Sequence, residues 1–280
     1  MSIDILKKAT KTPATGEDDT ADVVREMLKA IEVGGEAKAR EYAKKLDGWE
    51  SDVVLSRSDI DEAIASVPEQ TKHDIRFSHQ RVKAFAEAQL ASMNEFEVEL
   101  SPGLFAGQRL IPVSTAGCYV PGGRYAHIAS AIMSVTTARV AGVEHVVACS
   151  PTHPERGVHP AIVYAADLAG ADTILALGGV QGIASMAFGL FTGHPADILV
   201  GPVNRFVAEA KRVLYGRVGI DLFAGPTEIL VIIDDTADPE MVASDLVSQA
   251  EHGLDSPAWL VSASRPVADR VVGLMPKYID

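Results

Sequence analysis

The chain has 280 residues, of which 47% are hydrophobic; 25 basic and 38 acidic side chains give a formal charge of −13. At about 100–200 residues per domain there is room for two domains, and the hydrophobic fraction excludes a disordered or fibrous chain. The acidic balance repels phosphate backbones and anionic membranes, so nucleic acid is not an expected partner, although acidity by itself names none.

The first helix is expected over Asp22–Glu32, where Val23, Val24, Met27, Leu28 and Ile31 share one face. Gly34-Gly35 ends it, and a second helix follows over Glu36–Leu46. Ser58 followed by Asp61 resembles a capping box, and a longer helix runs over Glu69–Leu90. This helical lead-in gives way to a half-exposed strand at Phe96, Val98 and Leu100, closed by a turn at Ser101-Pro102-Gly103.

From about Gly117 helices and strands alternate. Helices are expected over Ala126–Val140, Ala161–Ala169, Ile183–Phe191 and Phe206–Leu214, and strands over His145–Cys149, Thr173–Leu177, Asp197–Val200 and Ile229–Ile233. The strands are short, apolar and unalternated, which fits a mostly parallel sheet covered on both faces. A helix over Glu240–His252, a strand at Trp259–Ser262 and a helix from Val267 follow.

Two cysteines, Cys118 and Cys149, are too few for a disulfide framework and too far apart for a Cys-based zinc site, which suits a reducing cytoplasm. The first twenty residues lack the apolar core of a signal peptide. The uncharged stretch Thr173–Gly193 holds five glycines and reads as strand, turn and buried helix rather than a membrane span.

Glycine and polar residues collect at the ends of the expected strands: Tyr119-Val120-Pro121-Gly122-Gly123, Gly178-Gly179-Val180-Gln181-Gly182, Gly201-Pro202-Val203-Asn204 and Gly225-Pro226-Thr227-Glu228. Such loops let a backbone approach a ligand, and a following helix start offers N–H groups to an anion. Each alone could be an ordinary tight turn. No two glycines are separated by a single residue, so the dinucleotide fingerprint is absent, and so is a phosphate loop ending in Gly-Lys-Ser/Thr. Gln249 and His252 lie three apart on one helical face, either as two donors of a metal site or as a helix end whose histidine suits the dipole.

In their order, Tyr119–Gly123, Gly179-Val180-Gln181, Gly201–Asn204, Ile220-Asp221 with Ala224–Glu228, and Ser248–His252 resemble the histidinol dehydrogenase family, with the likeness running from about Val23 onward. The resemblance implies an α/β fold of incomplete doubly wound, Rossmann-like parallel sheet domains behind the helical lead-in. It implies a zinc-dependent, NAD-using homodimer that oxidises a primary alcohol through an aldehyde to a carboxylate. Tyr119, Gln181 and Asn204 fall where the family contacts NAD, Thr227 where a serine contacts substrate, and Gln249 and His252 on two zinc ligands that also face substrate. The family's catalytic Glu-His pair and two further zinc ligands are expected beyond residue 280, so the chain is expected to be a fragment, inactive by itself. The expected division is an arm over 1–20, a first α/β domain from 21–118 plus 229–280, and an NAD-side domain over 119–228.

Arg124-Tyr125-Ala126-His127 stands where the family has a small, uncharged stretch, Thr227 stands for the serine, and Val203 for a common glycine. Arg124 and His127 beside the expected active site favour an anionic substrate over cationic histidinol. This resembles a sulfopropanediol-oxidising branch, with a histidinol dehydrogenase and a non-catalytic NAD-binding module ending at residue 280 as the alternatives.

Overall fold

A computed structural model describes residues 4–7, 17–122, 125–202, 204–223, 228–250 and 256–279. They form two compact units, one over Asp18–Phe223 and the other from residue 224 onward together with the N-terminal residues. The division expected from sequence grouped 21–118 with 229–280. In the structure the lead-in helices instead belong with the central sheet, because their apolar faces pack there.

In the larger unit, α1 (Glu17–Tyr42) runs through the expected break. Gly35, at φ 59°, kinks it instead of stopping it, so both expected segments form one bent helix followed by a single π turn over Ala43–Asp47. Its stripe of Val24, Leu28 and Ile31, continued by Ala39 and Ala43, is buried in one core with Leu175, Leu177, Ile183 and Leu199. Residues 53–55 then pair antiparallel with the sheet's edge, Ala176 N donating to Val53 O at 2.7 Å. The helix α2 (Arg57–Ser66) is capped by Ser56 and Asp59, two residues earlier than expected. The next helix, α3 (Glu69–Ala91), matches its expected span.

A hairpin of β1 (Phe96–Ser101) and β2 (Leu104–Gln108) turns at Pro102-Gly103. All six β1 residues are exposed, where a half-exposed strand was expected, because no described element of this unit packs on its apolar face. Then comes the alternating part: β3 (Thr115–Tyr119), α4 (Ile128–Val140), β4 (His145–Ser150), α5 (Pro160–Ala169), β5 (Thr173–Ala176), α6 (Gly179–Phe188), β6 (Ile198–Val200), α7 (Arg205–Leu214) and β7 (Gly219–Ile220). Helix α6 starts four residues before its expected position because Gly178 is extended and caps it. It also lies close to the sheet: a Cβ on Gly182 would sit 2.8 Å from Cys149 Sγ.

The five strands are all parallel, in the order β5-β4-β3-β6-β7. Successive residues point to opposite cores. Ala116, Cys118, Val146, Ala148, Ile174 and Ala176 face α4 and α5, while Tyr119, Val147, Cys149 and Leu175 face α1, α6 and α7. This is the doubly wound, Rossmann-like arrangement expected, with both faces of the sheet covered.

The smaller unit pairs β8 (Ile229–Ile233) in parallel with β9 (Ala258–Ser262). Helices α8 (Pro239–Ala250) and α9 (Arg265–Ile279) bury Val242, Leu246, Val267 and Val271 against Ile233. Asp4 joins it through an ion pair with Arg265 at 2.7 Å. No helix among the described residues is long and apolar enough to cross a membrane.

Candidate functional site

The strand order reverses between β3 and β6. One half of the sheet is wound outward from β3 by α4 and α5, the other returns through α6 to β6 and on through α7. The connections leave opposite faces there, and in doubly wound sheets ligands bind in the crevice outside the carboxyl ends of the strands at such a point. Four glycine-bearing segments were expected at strand ends; those after β3, β5 and β6 line this edge as Pro121-Gly122, Gly178-Gly179 and Gly201-Pro202. Of the fourth, 225–228, residues 225–227 lie outside the described residues.

Gly201 makes the closest approach. It sits at φ +126°, and a Cβ there would stand 2.1 Å from the carbonyl oxygen of Tyr119. Only glycine lets the chain leaving β6 pass so near the end of β3. Three residues on, Asn204 starts α7: its Oδ1 accepts from Phe206 N at 3.0 Å and Val207 N at 3.1 Å, and the residue is exposed at the crevice edge.

Tyr119 and Gln181 lie beneath that surface, 4% and 1% exposed. The Tyr119 hydroxyl accepts from Gly179 N at 3.0 Å, and burial raises its pKa. Gln181 Nε2 donates to Asp47 Oδ2 at 2.8 Å. Burial pushes the Asp47 carboxyl above the usual aspartate value, partly offset by bonds from Gln181 and the Gly178 backbone N–H. The second half of the Gln181 amide, Oε1, is buried without a hydrogen-bond partner, as are Ser150 Oγ at the end of β4 and Thr152 Oγ1 just after it. Buried polar atoms are ordinarily paired; these three lie at or beside the carboxyl edge, and Thr136 Oγ1 and Ser185 Oγ, within α4 and α6, are unpaired too.

A second polar cluster holds the β6 exit. Lys211, on α7 and 2% exposed, donates through Nζ to Gly201 O at 3.2 Å and pairs with Asp221 Oδ1. Asp221 Oδ2 accepts from Gly201 N at 2.8 Å. Neither Lys211 nor Asp47 was picked out from the sequence. The available signal was a lysine on the buried face of α7, between Ala210 and Leu214.

Tyr119, Gln181 and Asn204 thus share one end of the larger unit's sheet. His127 immediately precedes α4, half-buried, its N–H donating to Pro121 O at 3.2 Å. Arg124, Thr227 and His252 lie outside the described residues. Gln249 is half-buried on α8 of the smaller unit. Among the described residues no three or more His, Cys, Asp or Glu side chains are grouped to hold a metal ion. Of the expected donor pair, Gln249 alone is among the described residues. Both cysteines are buried and free. Burial pushes the Cys118 thiol up to about 12 and raises Cys149 too, so neither is a nucleophile.

A doubly wound sheet with an open, glycine-lined switch point defines a class of α/β proteins that bind ligands at that edge. Residues 10–280 match the family model described as histidinol dehydrogenase, and the chain belongs to that family. It is 57% identical over 279 residues to sulfopropanediol 3-dehydrogenase of Ruegeria pomeroyi, covering 100% of this chain and 64% of that protein. It is 36% identical over 278 residues to histidinol dehydrogenase of Parasynechococcus marenigrum, covering 99% of this chain and 63% of that protein. Among solved structures, histidinol dehydrogenase from Elizabethkingia anophelis superposes with a TM-score of 0.85 at 32% identity, over 95% of this chain and 61% of that one. The chain therefore spans less than two thirds of the length of these relatives.

Proposed function

We propose that the chain is the cofactor-side part of an NAD-dependent dehydrogenase that oxidises a small, anionic primary alcohol of the sulfopropanediol type through an aldehyde to a carboxylate. The observation that carries the reading is the carboxyl edge of the parallel sheet, where the Gly201 backbone and the exposed Asn204 follow β6 and buried, unpaired polar atoms follow β4 and β5. A polar, elongated ligand fits such an edge, and the family membership supports NAD as that ligand. When bound, NAD takes up the hydride that leaves the alcohol carbon.

The chain's own residues bind and align. Asn204 presents its amide at the rim while its oxygen stays committed to α7. Tyr119 and Gln181 contribute from beneath, fixing Gly179 and Asp47, so the Gly178-Gly179 backbone is already in place when the ligand arrives. Arg124, with His127, supplies the anion preference, since a forked guanidinium suits a sulfonate and repels an ammonium. By the family resemblance, Thr227, Gln249 and His252 are the proposed substrate-side residues, with Gln249 and His252 as two zinc donors. A cytoplasmic homodimer is the proposed working form. The greater identity to the sulfopropanediol enzyme than to the histidinol enzyme supports the anionic substrate.

The test is turnover by the full-length protein with NAD. Sulfopropanediol is expected to be oxidised in preference to histidinol. Arg124→Ala should raise KM for the sulfonate on the order of tenfold to a hundredfold, as for loss of a charge-assisted bond, and leave an uncharged diol little affected. Preferred turnover of histidinol, or equal effects on both diols, would return the protein to the histidinol branch. Calorimetry of NAD binding to Asn204→Ala tests the cofactor side; unchanged affinity removes Asn204 from it.

A further inference from the structure

We infer that Lys211 and Asp221 form a positioning clamp for the cofactor loop: together they hold both backbone groups of Gly201 and so set where Asn204 stands in the crevice. This rests on the reading that NAD occupies that crevice.

The geometry is specific. Asp221 follows β7 directly and Lys211 lies on α7, so the two reach Gly201 from different elements. Asp221 Oδ2 takes the Gly201 N–H at 2.8 Å, and Lys211 Nζ gives to the Gly201 carbonyl at 3.2 Å. The two side chains also pair with each other, and Asp221 Oδ1 accepts from Leu222 N at 2.7 Å. Among the described residues, the bonds to Asp221 and Lys211 are the side-chain hydrogen bonds that Gly201 makes. It stands past the end of β6, at a backbone angle that strand pairing does not favour, pressed against the Tyr119 carbonyl.

Stability alone does not explain the pair. The Lys211 side chain is 2% exposed and that of Asp221 28%. Burying such a pair costs desolvation that its attraction does not reliably repay, and apolar residues of similar size commonly fold as well. What apolar residues cannot do is grip one peptide unit by its N–H and its C=O. Only two residues separate Gly201 from Asn204 in the sequence, so a shift at Gly201 is felt at the α7 cap.

Four variants separate a clamp from a merely structural pair. Lys211→Met and Asp221→Leu, each leaving one charge stranded, should lower both melting temperature and NAD affinity. The double variant removes the stranded charge, so its melting temperature should return close to the wild type. Its NAD dissociation constant by calorimetry, and KM for NAD, should stay about tenfold above wild type, with kcat and KM for the alcohol little changed, as for a misplaced binding group. A structural pair would instead show wild-type NAD affinity in the double variant, which overturns the inference. Asp221→Asn preserves the shape, and should still weaken NAD several-fold if the double variant fails to fold; unchanged affinity there also overturns it. If the wild type binds NAD and Asn204→Ala weakens it while the clamp variants do not, the clamp is refuted and the cofactor reading stands. If the wild type binds no NAD, the reading falls and the clamp with it.

Discussion

Replacing Gly201 by alanine tests the packing at the switch point with the least ambiguity. Two costs combine. A non-glycine residue at φ +126° sits in sparsely allowed space, at about 1–3 kcal/mol. The added Cβ would also stand 2.1 Å from the Tyr119 carbonyl oxygen, a backbone atom held in the sheet that cannot swing aside. Overpacking of that kind costs about 1–3 kcal/mol more. The expected loss is about 2–6 kcal/mol, a large share of the roughly 5–15 kcal/mol that holds a domain together. Gly216 supplies the control: it has φ +98° with nothing within 4 Å of its would-be Cβ, so Gly216→Ala carries the backbone cost alone. Urea unfolding followed by circular dichroism gives both values. Gly201→Ala should be the worse by about 1–3 kcal/mol, the overpacking part. Equal losses in the two variants would show that the Tyr119 carbonyl does not oppose a side chain, and the close approach of β3 and the β6 exit would be wrong.

Three further outcomes are expected. Asp47, whose carboxyl is raised by burial, binds its proton more readily in the fold than in the unfolded chain, so it contributes stability below the ordinary aspartate value that is lost as pH rises through the raised one. Asp47→Asn should therefore be stabilised relative to wild type at pH 7, with the gain shrinking as pH falls; a gain that grows on acidification would contradict the burial argument. Cys118 and Cys149 should resist an aromatic disulfide reagent in the native protein and react only on denaturation, whereas labelling at the rate of a free thiol would deny their burial. Ser56→Ala removes the hydroxyl half of the α2 capping box and should cost about 1 kcal/mol in urea unfolding, while Ser58→Ala should cost almost nothing.

The capping box shows how close a sequence reading comes and where it stops. Ser56-Asp59 and Ser58-Asp61 are the same pattern overlaid two residues apart. The structure chooses the first because Arg57 takes Asp61 at 2.5 Å, along with Asp167 at 2.6 Å from 110 residues away. That partner is invisible in a local window. The central strand β3 passed without assignment for a related reason. Its centre, Ala116-Gly117-Cys118, is small and lacks the branched apolar residues that mark a strand, and a Cβ on Gly117 would stand 2.8 Å from Leu199 Cδ2 and 3.0 Å from Met186 Sδ. Neighbours from β6 and α6 select them. Where strands are filled by valine, isoleucine and leucine, as in β5 and β8, the expected spans held to within a residue.

The site divides in the same way. The glycine-rich strand ends were legible because turn chemistry is local, and Asn204 because it belongs to one of those segments. Asp47 and Lys211 were not, since each looks like an interruption of an apolar face until its partner is known, and Asp47 meets Gln181 across 134 residues. The two ends of the sheet then differ in a way no single segment displays. At the amino edge, Asp197 accepts from Thr115 N and Asp172 from Val146 N, each at 2.8 Å, so the strand starts are satisfied. At the carboxyl edge, side chains hold Gly178, Gly179 and Gly201 by their backbones, while Gln181 Oε1, Ser150 Oγ and Thr152 Oγ1 remain unpaired. Apolar burial would be content with either edge. Among the described residues, the carboxyl edge combines a fixed backbone with unpaired polar atoms, and a polar ligand entering there meets loops already set to receive it.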